Sequence, residues 1–243
     1  MLTIVFASQK GGSGKTTLAA HLAVQAGLAG AGAVALVDTD PQGSLADWWK
    51  LRHETMPSLI RSEAAELADD LSRLRDQGHD LVMVDTQPAV TDAISEVVRR
   101  ADLVVVPCRP SPHDLRAVGA TVDIVESWQL PLVFAVNSAT RRARITAEAA
   151  VALSQHGTVA PETVHHRVDF AASMIDGRTV MEANPEGASA REIAGLWHYV
   201  ADRLARISHI PMPAEGTFGG EVTVPQARRG ATTFGRRVTV QAG

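Results

Sequence analysis

Cysteine occurs once in the 243 residues, at Cys108. One thiol supports neither a disulfide framework nor a cysteine-based metal site. It closes the apolar run Leu103 to Val106 and reads as a small buried side chain. No apolar stretch approaches the roughly 20 residues needed to span a bilayer. The start, MLTIVFASQ, lacks the basic n-region and cleavage pattern of a signal peptide. A cytoplasmic location is therefore expected. Internal repeats are lacking, and so is any excess of positive charge, since the formal net charge is −4. The length suits one large α/β domain, or one domain with a tail, and is enough for a substantial core.

What the chain does have is KGGSGKTT, residues 10–17. It follows the strand-like run Leu2 to Ala7 and opens a helical spacing marked by Leu18, Leu22 and Val24. That is the setting in which a phosphate-binding loop works. Gly11, Gly12 and Gly14 allow a tight turn whose N–H groups point inward at phosphate oxygens. The helix that follows adds its positive N-terminal end. Lys15 is placed to reach β- and γ-phosphates, and the Thr16 hydroxyl to ligate magnesium. Lys10 is a second lysine at the mouth of the loop, which an ordinary loop of this kind does not need. A mere glycine-rich turn with stray lysines does not account for the strand–loop–helix setting.

Two more apolar runs end in acids. Ala33 to Val37 leads into Asp38-Thr39-Asp40-Pro41-Gln42, and Leu81 to Val84 into Asp85-Thr86-Gln87-Pro88. In an open parallel sheet, ligands sit beyond the carboxyl ends of the strands, so these acids and the loop should converge. Each acid alone reads as a helix cap or Asx-turn. Taken with the loop, Asp85 suits the carboxylate holding the magnesium shell, and Asp40 the group orienting or deprotonating an attacking water. Thr16, Asp85 and Asp40 are the expected metal-facing oxygens.

Strand and helix patterns alternate, which predicts a doubly wound, mostly parallel α/β sheet with helices on both faces. Strands are expected at 2–7, 33–38, 81–85, 103–107, 131–136 and 163–168. Helices are expected near 16–29, 61–77, 90–100, 112–128, 142–155 and 188–207. The last carries Ile193, Leu196, Trp197, Val200, Leu204 and Ile207 as a core-facing stripe. Ser111-Pro112 reads as an N-cap with proline in the first helical position. The domain is expected to span 1–210. Residues 211–243, with Pro211, Pro213 and several glycines, read as a disordered tail.

KGGSGKTT, VDTDPQGS and VMVDTQP resemble the deviant Walker A, switch I and Walker B segments of the ParA/MinD ATPases. The likeness covers roughly residues 1–208 and is strongest to the short ParA proteins that lack an N-terminal DNA-reading domain. It implies a P-loop ATPase with ATP and Mg²⁺ as cofactors. Lys10, Gly11, Gly12, Ser13, Gly14, Lys15, Thr16 and Thr17 would line the nucleotide. It also implies an ATP-bound homodimer in which Lys10 reaches the partner's phosphates, and slow hydrolysis stimulated by a ParB-like or other cargo adaptor. Lys10, Lys15 and Asp40 would be the catalytic groups. Asn137 follows the strand Leu132 to Val136, where the family places an adenine-contacting Asn; by itself a loop Asn is a turn residue. The single cysteine argues against the related iron–sulfur reductases.

The short members bind non-specific DNA in the ATP state, which needs basic side chains on one surface and implies nucleoid association. The candidates are Arg167, Arg178 and Arg191, with Arg228, Arg229, Arg236 and Arg237 of the tail as a second contact. With four arginines against two glutamates in the tail, residues 1–210 carry about −6. Arg141, Arg142 and Arg144 read as a solvated helix face. Two departures stand out: Gly187-Ala188 where relatives often carry Ser and then a basic residue, and Gln87 in the Walker B run. The first keeps open a DNA-independent, nucleotide-gated scaffold for a protein assembly. A MinD-like membrane switch would need a C-terminal amphipathic helix, which the Gly-, Pro- and Thr-rich tail does not supply, so stable membrane association is not expected.

Overall fold

The computed structural model describes residues 1–208. Seven strands alternate with helices: β1 (Leu2–Phe6), α1 (Lys15–Leu28), β2 (Val34–Asp38), α2 (Ser44–Lys50), β3 (Ser58–Arg61), α3 (Leu67–Asp76), β4 (Leu81–Asp85) and α4 (Asp92–Val98). There follow β5 (Leu103–Cys108), α5 (Pro112–Ser127), β6 (Leu132–Val136), α6 (Arg144–Ser154), β7 (Thr158–Val159), α7 (Val168–Met174), α8 (Val180–Ala183) and α9 (Ala188–Ser208). Every pairing is parallel, in the order β3-β2-β4-β1-β5-β6-β7. The all-apolar strand runs are what a parallel sheet covered on both faces requires.

Alternation along each strand sorts the side chains into two cores. Ile4, Phe6, Leu36, Met83 and Val105 pack with α1 and α9. Val5, Val37, Val84, Val104 and Phe134 face α3, α4, α5 and α6. Helix α1 is buried nearly all round, from Leu18 to Ala26, because α9 covers the side turned away from the sheet. The α9 stripe is buried as expected at Ile193, Leu196, Trp197, Val200 and Leu204. Cys108 is buried, and burial pushes its thiol up to about 12, so it is an inert filler.

The strand expected at 163–168 is not one. The edge strand is instead Thr158–Val159, and the only later pairing in this stretch is a single parallel bridge between Ala139 and His165. Ala160 N donates to Phe134 O and the next bond to β6 is Val164 N to Val136 O, so four residues of this segment span two of β6 and the edge bulges out of register. The helix expected at 61–77 begins only at Leu67, and Arg61 instead closes an unexpected short strand, β3. The expected tail, with its four arginines and the domain limit at 210, lies outside the described residues.

His21 lies wholly buried in α1, with Nδ1 on Thr17 O at 2.8 Å and Nε2 without a partner. Burial lowers its pKa to about 4, the backbone bond opposing only in part. The unfolded chain therefore takes up this proton at higher pH than the fold does, and stability is lost as pH falls from about 6.5 toward 4, by roughly 3 kcal/mol in all. Urea unfolding at pH 7 and pH 5 should show a smaller difference for His21→Leu than for the unchanged chain. Equal differences would remove His21 as the source.

Candidate active site

The chain turns back on itself at the carboxyl edge of the sheet, where β1 lies between β4 and β5, so crossovers leave in opposite directions from this point. The crevice so formed holds residues 10–17. Gly12 and Gly14 have φ of 71° and 101°, and Gly14 serves as N-cap of α1 with no side-chain cap. The first-turn amides of α1 thus remain available to an anion. A Cβ on Gly14 would lie 2.0 Å from Asn137 Nδ2, which donates to Ser13 O at 2.7 Å. Asn137 therefore braces the loop from the end of β6, in addition to lining the cleft.

Parallel register sets Asp38 beside Asp85 across β2 and β4. Thr16 Oγ1 donates to Asp85 Oδ2 at 2.6 Å, and Asp85 Oδ1 is buried with no partner. Burial drives the Asp85 pKa up to about 7, with the Thr16 bond opposing. A buried carboxylate oxygen left open beside a hydroxyl is a donor set suited to a hard divalent cation such as magnesium. Lys15 is buried too. Desolvation pulls its ammonium below the ordinary value, against the pull of the Asp85 and Asp40 charges.

Asp38 has a role that the sequence reading missed. Its Oδ1 accepts from Asp40 N at 3.1 Å and its Oδ2 from Ala46 N at 2.9 Å. Gly43, the N-cap of α2, has no side chain, so Asp38 supplies the missing cap from across the loop. This holds Asp40 over the cleft, where its Oδ1 also accepts from Gln42 N at 2.9 Å. Asp40 is half-buried and lines the cleft.

The cleft has a volume of about 640 Å³ and runs from the phosphate-binding loop to Asn137, Ser138, His165 and α7. Lys10 sits exposed at the rim and makes no ion pair among the described residues. Arg167 lines the far end of the cleft, its guanidinium on Glu192 at 2.5 and 2.6 Å. His165 adds two more bonds to the same carboxylate, through its N at 3.0 Å and Nδ1 at 2.8 Å. Burial alone would raise Glu192, but these bonds, led by Arg167, hold it below the ordinary range. Arg178 pairs with Asp176 at 2.7 Å, and Arg191 is exposed with Nη1 on Glu186 O. Arg109, after β5, also lines the cleft, and nothing in its sequence setting singled it out.

Residues 4–180 match the model of the CobQ/CobB/MinD/ParA nucleotide binding domain. Two similar proteins are both named maintenance of carboxysome distribution protein A. The one from Halothiobacillus neapolitanus is 30% identical over 200 residues, covering 78% of this chain and 91% of its own. The one from Gloeobacter kilaueensis is 34% identical over 217 residues, covering 81% and 91%. Among solved structures, the septum site-determining protein MinD complexed with Mg-ADP, from Pyrococcus horikoshii, superposes with a TM-score of 0.71 at 15% identity. It covers 86% of this chain and 99% of its own, a likeness of fold.

A raised carboxylate favours the fold at low pH, where the folded chain keeps the proton longer than the unfolded one, and penalises it as pH rises through 7. Asp85→Asn keeps the acceptor for Thr16 and removes the charge. It should stabilise the ligand-free chain at pH 8 by up to roughly 4 kcal/mol, the gain shrinking toward pH 4. The same change should remove the magnesium dependence of nucleotide binding. Thermal unfolding across pH, with titrations of nucleotide with and without magnesium, tests both halves.

Proposed function

Because the chain belongs to the CobQ/CobB/MinD/ParA family of nucleotide-binding domains, we propose that it is an ATPase whose ATP-bound dimer positions a cargo in the cell. The observation that carries this is the pairing of a braced, uncapped phosphate-binding loop with the buried, half-satisfied Asp85 beside Thr16. The amides of residues 11–17 and Lys15 bind the phosphates. Thr16 and Asp85 hold magnesium, with Asp40 near. When bound, the metal neutralises charge on the triphosphate. Asp40, fixed by Asp38, orients the attacking water toward the γ-phosphorus.

Lys10, exposed and unpaired at the rim, is free to reach a partner's phosphates in a closed homodimer. Val168 at the start of α7 and Ile175 just after its end, 78% and 76% exposed, bracket the stretch whose Phe170, Ala171 and Met174 line the cleft, and favour such a cover. Asn137 and the far end of the cleft receive the adenine. The relatives named for carboxysome distribution favour a protein assembly as cargo, with an adaptor on that assembly stimulating hydrolysis. In the ATP state the dimer holds non-specific DNA, which keeps it on the nucleoid.

A second reading, the DNA-independent scaffold, is favoured by specific side chains. Arg167 and Arg178 already sit on carboxylates, and Ala188 opens α9 without a basic residue. Arg167 in particular is mostly buried and doubly bonded to Glu192, so Arg191 and the tail would have to supply the DNA contacts.

Asp40→Ala should still form ATP-bound dimers, with turnover reduced by about 100-fold or more, in line with loss of a positioned general base. Single-turnover hydrolysis with the oligomeric state followed in parallel tests it, and rapid hydrolysis would sink the role. Binding of the intact chain to random duplex DNA, without nucleotide, with ADP and with ATP, at two salt concentrations, separates the two readings. Salt-sensitive binding only with ATP is expected. No binding in any state, with ATP still dimerising the chain, selects the scaffold.

A further inference from the structure

Arg109 is the first residue after β5, the strand next to β1 on the side away from β4. Its main chain is pinned. The Arg109 carbonyl accepts from Ser111 N at 2.8 Å, and Ser111 is the N-cap of α5, its hydroxyl accepting from Asp114 N at 3.1 Å. One residue back, Cys108 O accepts from Asn137 N at 2.9 Å. The same two strand ends thus present Asn137 to one side of the phosphate-binding loop and Arg109 to another. The side chain is exposed, and its guanidinium lies on no carboxylate among the described residues.

Its position is set by the loop. A Cβ on Gly12 would stand 3.1 Å from Arg109 Nη2 and 3.7 Å from Cζ, so the guanidinium rests in the space that Gly12 leaves open. Gly12 has φ of 71°, which favours glycine in any case. The group faces the same cleft as Gly14, Lys15, Thr16 and Asp40. A guanidinium presents up to five donors in a planar fork suited to phosphate oxygens. Left unpaired beside a loop that binds anions, it is a cation waiting for one.

We propose that Arg109 binds the terminal phosphate of the nucleotide held by its own loop, making the chain bind a triphosphate more tightly than a diphosphate. The inference rests on the reading of the cleft as an ATP site. Gly12 precedes Gly14, Lys15 and the start of α1 in the loop and faces the same cleft, so a group on Gly12 meets the phosphate farther from the helix. Lys10 would reach across to a partner, whereas Arg109 acts within its own subunit. It therefore reads the third phosphate before any dimer closes.

The test is equilibrium binding of Mg-ADP and of a non-hydrolysable Mg-ATP analogue to the full chain, at protein concentrations where it is monomeric, for the unchanged chain, Arg109→Ala and Arg109→Lys. Loss of a charge-assisted hydrogen bond predicts analogue binding weaker by roughly 10- to 100-fold in Arg109→Ala, with ADP binding changed by less than about 3-fold. Arg109→Lys should recover part of the loss, since it keeps the charge without the fork. Equal weakening of both nucleotides, or of neither, overturns the assignment while leaving the ATP site standing. Failure of the unchanged chain to bind either nucleotide removes the ATP reading and this inference with it.

Discussion

The rest of the site depends on one buried carboxylate. Asp85 stands at the end of a central strand, fully inaccessible, with one oxygen on Thr16 and the other on nothing. Such a group is costly as a charge, which is why burial holds its proton to about 7. Its neighbours do not relieve the cost. Asp38 stands beside it and repels it, and Lys15 is itself desolvated. A divalent cation shared by Asp85 and Thr16, as proposed above, would offset that cost.

Asp38 converts the same strand end into control of a loop. By capping α2 in place of Gly43 it ties the position of Asp40 to that of a helix. At the far end of that helix, Arg52 lies over the Trp48 ring at 4.9 Å, bonds Glu182 at 2.8 Å and reaches Gly177 O at 2.8 Å. Glu182 in turn bonds Thr179 N at the start of α8. Burial would raise Glu182, but Arg52 and then Thr179 outweigh it and keep it low. Packing is therefore contiguous from the loop bearing Asp40 to the segment that leads into α9. Asp40 is thus tied to the packed body of the domain although it stands over the cleft.

The sheet and the phosphate-binding loop were legible because both are written locally. Apolar runs of four or five residues ending in Asp, and glycines at fixed offsets before a lysine, need no knowledge of distant residues. What the sequence concealed depends on partners far along the chain. Glu192 clamps His165 and Arg167 from a helix more than 20 residues away, so a segment that reads as a strand becomes a kinked wall of the cleft. Strand β3 has four residues, too few for a period to declare itself against the helix pattern behind it. Asp38 looked like one more strand-end acid, and its capping of Ala46 shows only once β2 and α2 are folded together. Arg109 sits in a run, Pro107-Cys108-Arg109-Pro110, with no spacing to flag it.

The allocation of positive charge follows from these placements. Arg52, Arg73, Arg99, Arg144, Arg167 and Arg178 each sit on a carboxylate. Lys10 and Arg109 are exposed without one, and Lys15 is buried among acids that repel each other. A chain with a net charge of −4 binds a polyanion only where its cations are left unspent, since a pair already satisfied has little to gain from a phosphate. The part of the cleft around the phosphate-binding loop meets that condition, whereas Arg167, at the far end of the same cleft, and Arg178 do not. Any DNA contact must therefore come from cations outside these pairs, and a dimer, by repeating such a cluster on both subunits, makes a weak one count twice.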